Sequence, residues 1–348
     1  MEDKGFSRRS NIHHGVLDLI ELENAHAVGP NDYNSTANGR ADFPTVANPE
    51  NTELNQAYLS YHDLPGTVVS LGRQSLALDN QRYIGAVGFR QNEQTFDALT
   101  VINSSVPDLG LAYVYVKQVL RIFGDDNVLG SLNSNRHVLH AAYSGLDVAN
   151  IVGYGYFLDV DDDAATLSSA SMGLRASGKH ALGDSFALLY TAEYAHQTDC
   201  ASNPNSYGLN YYLLEPGIKY DGLTLKFDYE VLEGNSTASF QTPLTTLHKF
   251  QGWADKFLTT PADGIKDIYI TAKYDFGKIG FLDSLSALAV YHGYSAEDSS
   301  RNLGNEINAG VFAKLHKRFK VSLEYPDFDA EDFSTDSEKI WLTLGMKL

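Results

Sequence analysis

Residues 223–231 read LTLKFDYEV. In this stretch every odd-numbered position is Leu, Phe, Tyr or Val, and every even-numbered position is Thr, Lys, Asp or Glu. Because side chains two residues apart share a face of a β-strand, one face is wholly apolar and the other is polar and charged. A soluble sheet would bury the apolar face, but roughly ten tilted residues also cross the hydrocarbon core of a bilayer. The stretch therefore predicts a strand of a transmembrane β-barrel, with its charges toward the lumen.

The same alternation recurs along the chain and predicts an all-β fold, an antiparallel transmembrane β-barrel with about sixteen visible strands. The predicted strands are residues 16–24, 52–61, 67–73, 94–103, 110–121, 136–143, 148–157, 169–179, 184–195, 207–220, 223–232, 266–276, 284–294, 304–314, 318–325 and 339–348. Short connections rich in turn residues alternate with long ones, as in outer-membrane barrels with short periplasmic turns and long extracellular loops. Strands 94–103 and 284–294 are apolar on both faces, so the alternation does not assign their facing.

The N-terminal residues fit this pattern poorly. Residues 1–11 read MEDKGFSRRSN and contain no apolar core of ~7–15 residues, so they do not form a signal peptide. We expect residues 1–15 to be an atypical segment outside the barrel and residues 16–348 to form a single barrel domain. Because a barrel must be secreted, either the signal peptide was removed or the sequence starts downstream of the true N-terminus. Both interpretations stay open.

Composition supports a barrel. No segment approaches the ~18 consecutive apolar residues of a spanning helix, while 21 Tyr and 17 Phe suit the aromatic girdles of barrels. The long loops, taken as residues 25–51, 74–93, 122–135, 158–168, 196–206, 233–265, 295–303 and 326–338, contain 23 Asp and Glu against 6 Lys and Arg, so they hold −17 of the chain's net charge of −18. Such an acidic rim would be bridged to lipopolysaccharide by divalent cations. Loops that are acidic only for solubility explain the same count.

One long connection has a distinctive sequence. Residues 71–99 read LGRQSLALDNQRYIGAVGFRQNEQTFDAL, in which arginines lie among amides and carboxylates and three glycines permit tight turns. A loop of this kind between two strands can fold into a barrel and narrow it, its guanidinium groups available to carboxylate or phosphate ligands. An ordinary surface loop is equally consistent with the residues alone.

This segment closely resembles the alginate-export family of outer-membrane porins, in which GRQ, DNQR and GxRQNxQTFDA recur. Residues 31–36 (NDYNST) and 242–261 (TPLTTLHKFQGWADKFLTTP) resemble two further segments of that family. The resemblance implies a monomeric barrel, eighteen-stranded in the best-known member, that passes an anionic polysaccharide past a ring of arginines. It also implies that one hairpin and the signal peptide are missing from this sequence.

The loop and the alternation together predict the pore lining. The pore and constriction candidates are Arg73, Arg82, Arg90, Asp79, Asp97, Arg175, Lys226, Asp228, Glu230, Lys273, Asp275, Lys320 and Glu324. Their mixed signs keep a general or aromatic-compound uptake porin open as an alternative to polysaccharide export. For any single residue, the alternative role is a salt bridge that braces the barrel wall.

Other functions have less support. No Gly-x-Ser-x-Gly is present, so we predict no enzymatic activity, although an outer-membrane hydrolase on a barrel scaffold and a soluble carbohydrate-binding β-protein stay open. We predict no cofactor, no metal site and no nucleic-acid binding. The expected partners are the lipid bilayer, lipopolysaccharide, the barrel-assembly machinery, and a small hydrophilic solute or an anionic polysaccharide. The expected location is the Gram-negative outer membrane, and no motif identifies the solute or the direction of transport.

Overall fold

The computed structural model describes residues 2–13, 15–27, 32–43, 45–124, 127–128, 130–160 and 162–347. Met1, Asn31 and Leu348, to which the sequence predictions also extend, lie outside these ranges. The strands are β1 (Glu2–His13), β2 (Val16–Ala27), β3 (Asn51–Leu64), β4 (Thr67–Gln74), β5 (Thr95–Val106), β6 (Leu109–Leu120), β7 (Ser131–Tyr143), β8 (Asn150–Val160), β9 (Ser169–Ala181), β10 (Phe186–Asp199), β11 (Gly208–Tyr220), β12 (Leu223–Leu232), β13 (Ile265–Ile279), β14 (Leu282–Ser295), β15 (Asn302–Leu315), β16 (Phe319–Ala330), β17 (Ser337–Glu338) and β18 (Trp341–Met346).

One antiparallel sheet contains all of these strands. Each strand from β1 to β15 pairs with the next strand along the chain, and β16 pairs with both the two-residue β17 and with β18. Two-residue turns such as 221–222 join strands at one rim, whereas loops such as 75–94 and 233–264 leave the other rim. The fold is an antiparallel transmembrane β-barrel, as the alternation predicted.

The two faces of the wall have the inverted polarity of a membrane barrel. On β12, Phe227 is 47% exposed on the outer face while the neighbouring Asp228 is completely buried on the inner face. On β13, Ile268 and Ile270 are likewise exposed and Asp267 is buried. Since a soluble sheet would bury the apolar side chains instead, the exposed apolar face is the lipid-facing one.

All sixteen strands predicted from the sequence are present, as β2 to β16 and β18. The structure also shows which side chains face inward on the two strands that are apolar on both faces. Phe96 and Ala98 of β5 point inward and are buried, as are His292 and Tyr294 of β14, whereas Tyr291 is exposed on the outer face.

The N-terminal residues differ from expectation. Residues 2–13, which the sequence analysis placed outside the barrel, form β1 and pair with β2 along its whole length. Ladder hydrogen bonds come from the backbone and do not require the apolar alternation on which the strand prediction depended. The absence of that alternation therefore did not exclude a strand.

Tyrosines with polar partners ring the outer wall toward the rim of the long loops. Their hydroxyl groups contact a polar side chain of the neighbouring strand or of the adjacent loop edge, as in Tyr194 with Asn210 at 2.8 Å and Tyr291 with Asn305 at 2.9 Å. An apolar ring with a hydrogen-bonded hydroxyl suits the boundary between lipid and headgroups. Among the described residues, no helix is long and apolar enough to cross a membrane.

Candidate functional site

Two long loops fold back into the space that the sheet encloses. We call residues 75–94 the first lumen loop and residues 233–264 the second lumen loop. The first loop reaches β2, where the Glu93 N–H donates to the Glu23 carboxylate at 3.2 Å. The second loop reaches β15, where the Ala254 N–H donates to the Glu306 carboxylate at 2.8 Å. One pair of loops can touch strands so far apart in the sheet only if the sheet curves around them.

An aromatic cluster anchors the first lumen loop to the barrel wall. The ring of Tyr83 is buried, with its centroid 5.0 Å from Tyr154 and 5.3 Å from Tyr156, both on the inner face of β8. It also meets Tyr211 of β11 at 5.9 Å and Phe240 of the second lumen loop at 6.2 Å. Tilted and edge-on rings at these separations attract one another beyond simple area burial.

Arg82 joins both lumen loops to β12. Its Nε lies 3.1 Å from Oε1 of Glu230, and its Nη1 donates to Oε1 of Gln251 at 3.0 Å. The guanidinium also lies over the rings of Tyr211 and Phe250, at 5.6 and 4.7 Å from their centroids. Burial alone would lower the pKa of Arg82, but the adjacent Glu230 carboxylate raises it above the ordinary value, so the group stays charged.

Arg90 makes a second buried ion pair, with Asp255 of the second lumen loop at 2.6 Å. Asp255 also binds Nδ1 of His248 at 2.9 Å and lies 3.7 Å from the Lys339 ammonium, which precedes β18. Burial alone would raise the pKa of Asp255, but His248, Arg90 and Lys339 together hold it well below its usual range. The ring of Phe89 stacks on His248 at 3.8 Å between centroids, so rings and charges hold the loops together.

Backbone contacts between the two loops are equally close. The Gly85 N–H donates to the Leu244 carbonyl at 2.9 Å, and the Gln94 amide donates to both the Gly85 and Leu244 carbonyls, at 2.8 and 2.9 Å. A Cβ at Gly85 would collide with the Thr246 hydroxyl and backbone. Val87, a β-branched residue, has a φ of 56°, which is unusual and is held here by the surrounding contacts.

The predicted entry of residues 74–93 into the barrel thus agrees with the structure, but the role assigned to their arginines does not. Arg82 and Arg90 are 1% and 5% exposed, and each is paired with a carboxylate. Burial of each guanidinium is tolerated because a carboxylate neutralises it, Glu230 of β12 for Arg82 and Asp255 of the second lumen loop for Arg90. Asp79 is engaged as well, with the His140 imidazole of β7 at 3.0 Å. These three side chains therefore bind the first lumen loop to the second lumen loop and to the barrel wall.

Arg73 and Asp97 lie on the outer wall, which corrects their assignment to the pore. Arg73 lies on β4, one residue before the strand ends, and shares a face with the exposed Leu71. Asp97 lies between the inward-facing Phe96 and Ala98 of β5. The two side chains form an ion pair of 2.8 Å on this outer face, since strand alternation, and not the loop, sets their direction.

The remaining candidates lie on the inner face of the wall. Arg175 pairs with Glu193 at 2.5 Å, and Lys226 pairs with Glu215 at 2.9 Å. Asp228 lies between Lys226 and Glu230 on the inner face of β12. Nearer the short-turn rim, the inner face carries the last four candidates, Lys273, Asp275, Lys320 and Glu324. Most of these charges form pairs along the wall, in agreement with the bracing alternative.

Two cavities follow each other along the inner faces of β13 and β14. The upper cavity has a volume of about 270 Å³ and lies beneath the Lys249–Trp253 segment of the second lumen loop. Its walls include four rings and one ammonium group, those of Phe250, Trp253, Tyr269, His292 and Lys249. The lower cavity has a volume of about 550 Å³, starts at Lys273 and Ser286, and reaches the short-turn rim.

Sequence reasoning missed the residues that line the upper cavity. Lys249, Phe250 and Trp253 lie within the segment 242–261, which drew attention only through its resemblance and not through any periodicity. Tyr269 and His292 lie at inward positions of β13 and β14, and at such positions the sequence analysis named only charged residues as candidates for the pore lining. The signal that was present is the combination of aromatic and basic residues in KFQGW, residues 249–253. Among the described residues, no group of three or more His, Cys, Asp or Glu side chains could hold a metal ion.

Comparison with known proteins identifies the fold. No protein-family model and no curated protein matches the chain. Solved structures do match over nearly its whole length. OccAB2 of Acinetobacter baumannii is 13% identical with a TM-score of 0.73, covering 98% of this chain and 92% of that one. A BenF-like porin of Pseudomonas fluorescens Pf-5 is 13% identical with a TM-score of 0.72, covering 99% and 91%.

A third match includes a small aromatic acid. The structure of OpdK of Pseudomonas aeruginosa with vanillate is 14% identical with a TM-score of 0.68, covering 99% of this chain and 96% of that one. At these identities the comparisons establish the fold, that of outer-membrane porin barrels. They do not show a relation to the alginate-export family.

Proposed function

We propose that this chain is an outer-membrane channel through which small organic acids, aromatic carboxylates in particular, diffuse passively past a constriction formed by the two lumen loops. The transmembrane barrel places the chain in the outer membrane of a Gram-negative bacterium. It forms one barrel domain and acts as a monomeric pore, and its acidic outer loops contact lipopolysaccharide. The direction of net flow follows the concentration gradient of the solute.

The upper cavity is the observation that carries this proposal. Its volume of about 270 Å³ lies just below the roughly 300–1,000 Å³ of typical small-molecule sites. Rings on several sides offer stacking surfaces for a planar solute, and the Lys249 ammonium offers a counter-ion for a carboxylate. Burial and the nearby Arg175 and Lys226 lower the pKa of Lys249, which donates to the Asn80 carbonyl at 2.8 Å. The vanillate in the OpdK structure supports a solute of this class in a barrel of this fold.

Export of an anionic polysaccharide, which the sequence resemblance implies, has less support. That mechanism needs arginines accessible to the polymer, whereas Arg82 and Arg90 are buried and neutralised by Glu230 and Asp255. A polymer also needs a continuous wide lumen, and the two lumen loops fold into that space. We therefore place the uptake alternative ahead of export.

The proposal can be tested with purified protein in planar bilayers under bi-ionic conditions. With potassium benzoate on one side and potassium gluconate on the other, the reversal potential should show benzoate to be the more permeant anion. Gluconate is the matched control because it carries the same charge without an aromatic ring. Equal permeation would indicate a general porin, and a larger current with uronate oligomers than with benzoate would favour polysaccharide transport.

Trp253→Ala identifies where the selectivity arises. Removing this ring from the upper cavity should reduce the benzoate preference toward that of gluconate. The control is Arg73→Gln, which changes a charge on the outer wall and should leave the preference unchanged. If Trp253→Ala kept the full preference, the upper cavity would not be the selective element.

A further inference from the structure

One sector of the short-turn rim of the barrel has a charge opposite to that of the chain as a whole. The whole chain carries a net charge of −18, yet one sector between β13 and β18 concentrates basic residues at this rim. They are Lys273, Lys278, Lys314, Lys317, Arg318, Lys320 and Lys347. Among the described residues, Asp275 and Asp283 oppose them at the rim of this sector, so this sector of the periplasmic mouth is positive, whereas the long loops at the extracellular rim are acidic.

Two of these lysines face each other directly. Lys314 of β15 and Lys320 of β16 are cross-strand partners, and both lie on the inner face with the lower cavity. Like charges directly opposite on adjacent strands destabilise a sheet. The lysine ion pairs among the described residues involve Lys226, Lys273 and Lys339 only, so neither member of this pair is neutralised by a carboxylate there.

The surroundings of the pair can bind an anion, because the one carboxylate among the residues that line the lower cavity, Asp275, is already paired with Lys273 at 3.0 Å. Hydroxyl groups of Ser284, Ser286 and Ser322 line the same cavity of about 550 Å³, and the Phe312 ring lies among them. Hydroxyl and ammonium groups both donate to a carboxylate, and a ring beside them can contact the apolar part of the same solute. The lower cavity follows the upper cavity along β13 and β14.

We infer that Lys314 and Lys320 form a binding site for the carboxylate of a small organic acid at the periplasmic mouth of the lumen. The bound anion neutralises a like-charge pair that the fold otherwise leaves unneutralised. The site therefore concentrates organic anions at the periplasmic end, where the strand wall, and not the arginines of the first lumen loop, supplies the accessible positive charge. The inference rests on the proposed function only in taking the lumen as the solute path.

The test measures block of the potassium chloride current by benzoate added on the periplasmic side of a planar bilayer. In a Lys314→Gln/Lys320→Gln variant, the half-blocking benzoate concentration should rise roughly two- to fivefold, the range for loss of solvent-exposed ion pairs. The matched control is Lys278→Gln/Lys317→Gln, which removes the same charge from the end of β13 and from the turn between β15 and β16. The control should shift the half-blocking concentration by less than half as much.

Other outcomes would overturn the inference. Equal shifts in the two double variants would mean that a diffuse field, and not a site, attracts the anion, and no shift in either would mean that the pair binds nothing. Inorganic phosphate in place of benzoate should block less strongly because it has no apolar part to contact Phe312. Equal or stronger block by phosphate would contradict the organic-acid class.

A second variant separates binding from folding. Lys314→Glu places a carboxylate opposite Lys320, which should keep the barrel at least as resistant to heat in a gel-shift assay while abolishing the block. Retained block in this variant would also contradict the site. Selective benzoate permeation without periplasmic block would reject this inference alone, whereas block without selective permeation would reject the proposed function alone.

Discussion

The Nε of Arg82 lies 3.1 Å from Oε1 of Glu230, and the two side chains are 1% and 2% exposed. This pair joins the first lumen loop to β12, and Gln251 of the second lumen loop hydrogen-bonds to both partners. A charged loop residue in a barrel is readily taken for part of the solute path. In this barrel the charge joins the two lumen loops to the wall.

Replacing Arg82 should loosen the loops. Arg82→Met leaves Glu230 buried without its partner, which costs about 3–5 kcal/mol in comparable buried pairs. We expect a larger and noisier single-channel conductance and a lower preference for anions, because an uncompensated carboxylate remains. In Arg82→Met/Glu230→Gln the anion preference should return to that of the wild type. If the double variant stayed as poor in anion preference as the single one, Arg82 would act directly on the passing solute.

Gly85 and Gly88 provide a matched pair in the same loop. A Cβ at Gly85 would collide with Thr246, whereas a Cβ at Gly88 would meet nothing within 4 Å, and neither residue has a positive φ. Gly85→Ala should therefore weaken loop docking by about 1–3 kcal/mol, the usual cost of overpacking, and raise protease cleavage in the second lumen loop. In the Gly88→Ala variant, the protease should cleave the second lumen loop at the wild-type rate. Identical cleavage of both variants would argue against close loop packing.

The lipid-facing assignment predicts unequal tolerance of neighbouring positions on β12. Phe227→Arg places a charge near the middle of the strand on the exposed apolar face and should cost roughly 2–4 kcal/mol if this is the bilayer midplane. Asp228→Asn changes an inner-face residue and should be mild. A urea refolding titration in lipid vesicles measures both, and equal tolerance would contradict the orientation of the strand.

The lowered pKa of Asp255 predicts how docking of the lumen loops depends on pH. Because its pKa in the docked loops is lowered, its ionised form stabilises docking at all pH values above the ordinary Asp value of about 4, and this contribution is lost as the pH falls below it. Current noise should therefore differ most between the wild type and Asp255→Asn at neutral pH, and the difference should shrink below about pH 4. A difference that persisted undiminished at pH 3 would mean that the carboxylate acts through its shape and not its charge.

The sequence predicted the wall of the barrel better than its interior. A strand with one lipid-facing side has a period of two that is visible within ten residues, so β12, β13 and β16 could be recognised directly. β1 lacks this alternation, and its pairing depends on backbone groups that do not distinguish one sequence from another. Arg73 already lay within the predicted strand 67–73, on the same face as Leu71, so the same alternation gives its outward direction without the structure.

The arrangement of side chains inside the barrel is determined by contacts between residues that are distant in sequence. Arg82 and Gln251 are 169 residues apart, and Arg90 and Asp255 are 165 apart. A single sequence shows that arginines, amides and carboxylates are present, but not which of them meet. The resemblance to a porin family drew attention to both lumen loops, and their residues then proved to pack against each other. It could not show that this packing buries the arginines.

Shortening the second lumen loop tests the central claim most directly. The claim is that two loops packed against each other form the constriction, and replacing residues 242–256 by a short Gly/Ser linker removes half of that contact while leaving every strand in place. Single-channel conductance in potassium chloride should rise and the preference for benzoate over gluconate should disappear. Unchanged conductance and preference in a correctly folded variant would contradict the claim, because the constriction would then lie elsewhere in the barrel.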